Sequence, residues 1–156
     1  MNTWLDDTED AAGEEELTDF TFGGKDAIIF LIDASPSMHE KNDSEGEEES
    51  EGGLSMALKC VASCLRSKVF NAPTDLVGVL LYGTKNQVDC RDFKNLSVLL
   101  PLETAEASSI LKVEELTEQP DKFDKEFGQS KDFSLHEALW QCQSLFANAT
   151  GQLIQS

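Results

Sequence analysis

A carboxylate and two hydroxyls stand close together in this chain at a point where they could hold a metal ion. Asp33, Ser35 and Ser37 form the pattern Asp-x-Ser-x-Ser, directly after an apolar run of β-branched and aromatic residues. Such a run predicts a buried strand, and α/β proteins bind ligands in the crevice at the carboxyl ends of parallel strands. Oxygen donors suit a hard cation, so the pattern predicts a site for Mg²⁺, the one cofactor this chain suggests.

The pattern is only the first part of a metal-ion-dependent adhesion site, and the other ligands are missing. A threonine is expected in the loop before the helix that begins near Ser134, where the sequence has Ser130, Asp132 and Phe133. A further aspartate is expected after a strand that the sequence does not contain. The favoured interpretation is therefore structural, without a cofactor: Asp33 and the serines stabilise turns by bonding to backbone N–H groups.

Three apolar runs predict strands and three amphipathic runs predict helices. The strands are expected at 26–33, 75–82 and 96–100, and the helices at 54–70, 105–116 and 134–146. This order predicts the α/β class, with a mostly parallel, Rossmann-like sheet and flanking helices. A doubly wound domain usually has about six strands, so the sheet is expected to be incomplete at its C-terminal end.

The expected burial of these elements follows from their patterns. The continuous apolar run Ala27–Ile32 is typical of a strand buried on both faces. Phe123 and Phe127 are spaced to form a short amphipathic turn. Ser134 and Glu137 stand at the N-cap and capping-box positions of the last helix. The expected buried face of that helix consists of Leu135, Ala138, Leu139, Cys142, Leu145 and Phe146.

The charge of the chain is concentrated in two acidic stretches. The net charge is −18; residues 1–19 hold eight acids and no bases, and residues 40–51 hold seven acids and one lysine. Such blocks favour a solvated tail at 1–19 and a solvated loop at 39–53, and residues 148–156 are also expected to be irregular. Because DNA phosphates are bound by clustered lysine and arginine, this chain is a poor candidate for DNA contact.

Other kinds of chemistry find little support in the sequence. The four cysteines form no Cys-x-x-Cys pair, and reduced thiols packed like small apolar residues are expected. No phosphate-binding Gly-x-x-x-x-Gly-Lys pattern and no Gly-x-Ser-x-Gly pattern occurs. No apolar run is long enough to span a bilayer, so a protein that is soluble inside the cell, without membrane contact, is expected.

Four blocks of sequence, in order, resemble the Ku family, in particular the amino-terminal von Willebrand A-like domain of its smaller (alpha) subunit. They lie at 24–38, 80–84, 92–99 and 134–146, behind a similarly acidic tail. The resemblance predicts a truncated Ku domain over residues 20–147. It also implies the fold, a mostly parallel sheet in which the first strand is central.

The family resemblance implies a function in DNA repair. Ku is a nuclear heterodimer that encircles double-stranded DNA ends, starts non-homologous end joining and acts at telomeres. Its DNA ring is formed by a β-barrel outside the A-like domain, which lies to the side and contacts repair proteins. We therefore expect the larger Ku subunit, DNA repair proteins and, through the full complex, DNA ends as partners. Family members are also described as ATP-dependent helicase subunits, an activity that no residue here supports.

The smaller subunit is also credited with a lyase reaction at abasic ends, through a Schiff-base lysine just before the first strand. The matching position in this chain is Thr21, which cannot form an imine. Lys25 is the nearest amine, and Asp26 beside it favours the charged form, which is not nucleophilic. Three hypotheses thus stay open: a Ku segment for protein interaction, a magnesium-dependent ligand-binding module, and a lyase acting through Lys25.

The expected sheet order has a consequence for stability. If the strands that flank one side of the first strand are absent, Ala27–Ile32 becomes an open apolar edge. Open edges pair with other chains, so the chain alone is expected to be marginally stable or to aggregate.

Overall fold

A computed structural model describes residues 24–41 and 51–155. The elements in chain order are β1 (Ala27–Asp33), α1 (Pro36–His39), α2 (Gly53–Asn71), β2 (Leu76–Tyr82), β3 (Leu96–Thr104), α3 (Ala107–Glu118), α4 (Pro120–Glu126) and α5 (Leu135–Gln155). The predicted α/β class is confirmed. The predicted tail at 1–19 and residues 42–50 of the predicted acidic loop lie outside the described residues.

The described strands form one mixed sheet in the order β1-β2-β3. β1 and β2 are parallel, with Ala27 opposite Leu76 and Asp33 opposite Tyr82. Parallel neighbours need a crossover, and α2 makes it. β3 follows β2 through a loop without a helix and is antiparallel to it. One of the two pairings is therefore parallel, where the sequence predicted a mostly parallel sheet.

Burial differs sharply between the first two strands. Residues 77–81 of the central strand β2 are all buried, whereas β1 is mostly half-buried and Ile32 alone in it is fully buried. The prediction that β1 is buried on both faces is wrong for the described residues. The reason is its position at the edge of their sheet, where it has a neighbour on one side.

The first face of the sheet is covered by α2, α3 and α4. The predicted apolar stripe of α2 is confirmed at Leu54, Leu58, Val61 and Leu65, all buried. Phe123 and Phe127 are 1% and 0% exposed, and their ring centroids lie 5.0 Å apart. Together with Val77, Val79 and Leu81 of β2 they belong to the larger of the two apolar cores. α2 ends at Asn71, in front of Pro73, as its sequence predicts.

The second face of the sheet is covered by α5. Its buried residues Ala138 and Cys142 pack with Leu80, Leu96 and Val98 of the sheet in a smaller core. Ser134 caps the helix as predicted, because its Oγ accepts a hydrogen bond from the Glu137 N–H at 3.4 Å. In β2 the two cores use alternate residues, with Leu80 in the smaller core and Val79 and Leu81 in the larger one, as the two-residue period of a strand requires.

β3 is longer than the sequence predicts. The strand was expected to stop before Pro101 but continues to Thr104. Proline is tolerated there because β3 is an edge strand of the described sheet, and the pairing register shifts near this point. Gly78 allows β2 and β3 to approach each other closely here, since a Cβ atom on Gly78 would lie 3.2 Å from the Leu102 Cα.

α5 is also longer than predicted. It was expected to end at Phe146 and be followed by an irregular segment at 148–156, but the helix continues to Gln155. Ala149 explains part of the extension, because it is only 8% exposed and adds another turn to the buried stripe. No helix among the described residues is both long and apolar enough to cross a membrane.

Candidate functional site

The predicted metal-binding loop lies at the carboxyl ends of β1 and β2. The Ala34 N–H donates to the Tyr82 carbonyl at 2.8 Å, which ties the ends of the two strands together. Gly83 follows β2 with φ +74°, and a Cβ atom there would lie 2.9 Å from the Ser35 nitrogen. Only glycine permits both this conformation and this approach. The two loops therefore meet at the edge that the sequence predicted.

Within the loop, the three predicted ligands bond mainly to one another. The Ser35 N–H donates to Asp33 Oδ1 at 2.8 Å, and the hydroxyls of Ser35 and Ser37 are 3.2 Å apart. Ser35 is buried, Ser37 is exposed and Asp33 is half-buried. The structure thus brings the three side chains together. These hydrogen bonds are the ones that the structural alternative, a stabilised turn, requires.

The loop before α5 reaches the same edge of the sheet. The Ser130 N–H donates to the Gly83 carbonyl at 2.8 Å. The Ser130 hydroxyl, however, donates to the Asp132 carbonyl at 3.2 Å and accepts from the Asp132 N–H at 3.1 Å. This serine therefore stabilises its own loop.

Magnesium prefers near-octahedral coordination by oxygen, and the donor set at this edge falls short of that. Asp33 is the one carboxylate of the Asp-x-Ser-x-Ser pattern. Among the described residues no group of three histidine, cysteine, aspartate or glutamate side chains is placed to hold a metal ion. The described residues therefore do not form a complete magnesium site. Magnesium binding by Asp33, Ser35 and Ser37 stays a prediction, which a calorimetric titration tests.

Two aromatic residues at this edge were not predicted as part of the site. Tyr82, at the end of β2, packs against Phe133 with ring centroids 4.9 Å apart. Burial raises the pKa of the Tyr82 hydroxyl, and the nearby Asp33 carboxylate raises it further. Tyr82 is therefore a neutral hydrogen-bonding group at neutral pH. The sequence feature that could have placed Tyr82 at this site is its position at the end of an apolar strand.

Sequence reasoning also missed a buried polar cluster beside this edge. Thr84 and Ser97 are fully buried, and their hydroxyls are 3.1 Å apart. Both hydroxyls donate to the Asn86 carbonyl, at 2.9 and 2.7 Å, and Ser97 Oγ also accepts from the Val88 N–H at 3.1 Å. Buried hydroxyls that are satisfied in this way stabilise a loop. The cluster fixes the path between β2 and β3 and leaves no free group for chemistry.

The candidate lyase residue lies at the opposite end of β1. Lys25 is exposed and precedes the strand, whereas Asp33 ends it, and Thr21 lies outside the described residues. Seven residues of strand at about 3.3 Å each separate the two ends by roughly 20 Å. Lys25 and the Asp33 loop therefore cannot form one site.

A partly buried ion pair lies next to Asp26, the residue after Lys25. Asp75 Oδ2 accepts from Lys68 Nζ at 2.5 Å, and its Oδ1 accepts from the Asp26 N–H at 3.1 Å. The hydrogen bond to Asp75 raises the pKa of Lys68, so this amine stays protonated, the opposite of what imine formation requires. The pair therefore has a structural role. Lyase chemistry through Lys25 stays a prediction.

α5 exposes part of the face that was expected to be buried. Leu135 is 50% exposed, Leu139 56% and Phe146 37%, which corrects the prediction for these three residues. They lie on one flank of the stripe formed by Ala138 and Cys142, and the described residues do not cover that flank. Trp140 is also exposed. Large exposed apolar side chains that lie close together mark an interaction surface.

The four cysteines also differ in how far they are exposed to solvent. Cys90 and Cys142 are buried, Cys64 is half-buried and Cys60 is exposed, and all four are free thiols. Burial raises the pKa of the Cys90 and Cys142 thiols, which makes them less reactive. The prediction of packed thiols is confirmed for these two and is wrong for Cys60.

Comparison with known proteins identifies the fold family. The profile of the Ku70/Ku80 N-terminal alpha/beta domain matches residues 27–155. X-ray repair cross-complementing protein 6 of Mus musculus is 35% identical over 132 residues, which are 83% of this chain and 21% of the mouse protein. ATP-dependent DNA helicase 2 subunit 1 of Rhipicephalus appendiculatus is 33% identical over 148 residues, 94% of this chain and 23% of the tick protein.

A third relative extends the comparison to a distant organism. ATP-dependent DNA helicase ku70 of Dictyostelium discoideum is 34% identical over 125 residues, 80% of this chain and 13% of that protein. The chain thus spans about a fifth or less of the length of each relative. On the profile match, which covers β1 through α5, the chain belongs to the family of Ku N-terminal α/β domains.

Proposed function

We propose that this chain serves a Ku complex in double-strand break repair by non-homologous end joining, and at telomeres. The observation that carries the proposal is the family match over residues 27–155. The name of the mouse relative refers to X-ray repair, and the other relatives are named as DNA helicase subunits. A nuclear location is part of the same proposal.

Within that complex, this chain acts through protein contact. Its net charge of −18 opposes binding to phosphates, which supports a role outside the DNA ring. The exposed flank of α5, with Leu135, Leu139 and Phe146, is a surface on which a partner would bury apolar area. The larger Ku subunit and DNA repair proteins are the partners that the family suggests.

Co-purification tests the proposal. The chain is expressed with the larger Ku subunit, and the mixture is passed over an immobilised blunt DNA duplex with and without competing free duplex. Retention of this chain that depends on both the subunit and the duplex is the expected result. A chain that is retained by neither, although the larger subunit is folded, would remove this function.

The flank of α5 is tested in the same assay. Leu139→Lys places a charge on the exposed flank and should reduce retention. Glu103→Lys, an exposed change on β3, is the control and should leave retention unchanged. Equal retention of both variants would place the contact elsewhere on the molecule.

A further inference from the structure

The two edges of the described sheet differ in how they are protected against pairing with another strand. At the edge formed by β3, the Val98 N–H donates to the Val88 carbonyl at 2.8 Å, and the Lys112 ammonium donates to the Leu99 carbonyl at 3.1 Å. Pro101 in the same strand has no N–H to offer. A covering loop, a lysine and a proline are devices that keep an edge strand from pairing. The edge at β3 is therefore protected.

The edge formed by β1 has a different composition. Residues 27–32 hold no proline and no charged side chain, and among the described residues β1 has a strand on one side only. Phe30 packs against the larger core and Ile29 and Leu31 against the smaller one, but all three are only half-buried. Apolar residues on both faces are typical of a strand inside a sheet. The composition of β1 therefore suits a second neighbour.

The hydrogen bonds to β2 show which backbone groups of β1 point outward. The Leu76 N–H donates to the Asp26 carbonyl and the Ala34 N–H donates to the Tyr82 carbonyl, both at 2.8 Å. Because the direction of these groups alternates along a strand, the even-numbered residues of β1 face β2. The N–H and C=O groups of Ala27, Ile29 and Leu31 consequently point to the outer edge.

This alternation limits how two copies of β1 could pair. In an antiparallel pair the outward-pointing residues lie opposite one another, so Asp26 cannot lie opposite Asp33 of a second copy. One allowed register places Ile29 opposite Ile29 of the second copy. It also places Lys25 of each copy opposite Asp33 of the other, which joins opposite charges at both ends of the paired strands. A shift by two residues would leave Asp33 opposite Ala27, without that attraction.

We propose that two copies of this chain form a dimer by antiparallel pairing of β1 with β1, in the register that places Ile29 opposite Ile29. The two-fold axis makes one continuous sheet from the three described strands of each copy. Lys25 and Asp33 select the second copy, because the same strand supplies both charges. This inference goes beyond the proposed function, since it holds whether or not the chain serves a Ku complex.

Two other occupants of this edge are possible outcomes of the test. One is a part of residues 1–23, which precede β1 and lie outside the described residues. The other is a strand of the larger Ku subunit. Either of them leaves the purified chain monomeric, whereas the proposed pairing makes it dimeric without a partner.

Sedimentation velocity of the full chain measures the dimer. We expect a monomer that becomes a dimer as the concentration rises, measured at low concentration because the exposed flank of α5 adds further contacts. Lys25→Glu should weaken the dimer about fivefold, because it removes two exposed ion pairs and each contributes only modestly. Lys94→Glu makes the same charge change at an exposed position between β2 and β3 and should alter the dimer less than about twofold.

Single cysteines on β1 read the register. Ile29→Cys should form a disulfide between copies on treatment with oxidised glutathione, because directly opposite Cα atoms lie about 5.5 Å apart. Leu31→Cys is the matched control: it is equally half-buried, but the two copies of it would lie about 13 Å apart along the strands. Both variants carry Cys60→Ser and Cys64→Ser, so that α2 has no thiol to oxidise. Non-reducing electrophoresis detects the product.

Three results would overturn the proposal. The first is a chain that stays monomeric at all concentrations, which would give the edge to one of the other two occupants or to solvent. The second is a disulfide that forms as readily at Leu31→Cys as at Ile29→Cys, which would contradict the register. The third is an equal effect of Lys25→Glu and Lys94→Glu, which would remove the pairing of charges that selects a second copy. Circular dichroism checks that each variant is folded, and Lys25→Glu, which lies before the strand, decides if a cysteine variant is not.

Discussion

The two faces of the sheet differ in how completely they are covered. On the first face, α2, α3 and α4 bury large apolar side chains, including Leu58, Leu65 and both phenylalanines of the α4 region. On the second face, α5 buries small side chains, Ala138 and Cys142, and leaves Leu139 and Trp140 exposed. An apolar stripe therefore predicts a buried face only where neighbouring elements are present to cover it.

The largest expected difference between the faces is in stability. Leu58 is 1% exposed and Leu139 is 56% exposed, so the same leucine-to-alanine change has different costs. Leu58→Ala should lower the free energy of unfolding by about 2–5 kcal/mol, because it leaves a cavity in the core. Leu139→Ala should lower it by less than about 1 kcal/mol. Urea unfolding of the two variants measures both values, and equal losses would contradict the difference between the faces.

The cysteines extend the comparison to reaction rate. Cys60 is exposed on α2, whereas Cys142 of α5 is buried against the sheet and the pKa of its thiol is raised. A thiol-specific reagent should modify Cys60 of the native chain fastest and Cys142 only after unfolding. Cys60→Ser should remove the fast phase, and Cys142→Ser should leave it. A fast phase that survives Cys60→Ser but is lost in the Cys60→Ser/Cys142→Ser double variant would show that the second face opens readily.

The ion pair at the end of α2 adds a dependence on pH. The hydrogen bond to Lys68, and then the one from the Asp26 N–H, lower the pKa of Asp75 below its ordinary value of 3.8. The stabilisation is therefore complete above pH 3.8 and is lost as the pH falls through the folded-state pKa. Lys68 behaves in the opposite direction: its pKa is raised above 10.5, so its contribution is complete below that pH and is lost as the pH rises through the folded-state pKa.

Asp75→Asn should remove the acid-dependent part of this stability. The variant should unfold at a lower temperature than the native chain at neutral pH, and the difference should shrink below pH 3.8. Glu103→Gln, on the exposed side of β3, is the matched control and should follow the native curve. Thermal melts followed by circular dichroism at several pH values supply the comparison. A constant difference at all pH values would assign the effect of Asp75 to packing.

The sequence predicted the positions of helices and strands better than it predicted which of their residues the neighbouring elements bury. The strands and the main helices follow from apolar periodicity, and the cap at Ser134 follows from residue type, because both signals are local. The continuation of β3 past Pro101 and the exposure of Leu139 depend on which strand lies at the edge and which helix has a neighbour. Those facts are set by tertiary packing, which a single sequence pattern does not contain.

In the candidate site, too, the sequence predicted local features but not the contacts between distant segments. The Asp-x-Ser-x-Ser pattern predicted correctly that Asp33, Ser35 and Ser37 lie together after β1. The edge at which this loop meets Gly83 and Ser130 was predicted, but the individual hydrogen bonds and the glycine contact that join them involve residues distant in sequence and were not predicted. The hydrogen bonds of Ser130 to Asp132 depend on the local turn, which residue types alone did not indicate.

The smallest expected effect on stability separates folding from association on the second face. Leu139→Lys should change the free energy of unfolding by no more than about 0.5–1 kcal/mol, because more than half of the side chain is already in water. The same change should reduce self-association of the chain, since it places a charge on an exposed apolar flank. Sedimentation velocity over a range of concentrations measures this association. If Leu139→Lys associates as strongly as the native chain does, the contact between copies is formed by the half-buried edge strand β1. A charge on that strand, such as Ala27→Lys, should then reduce association.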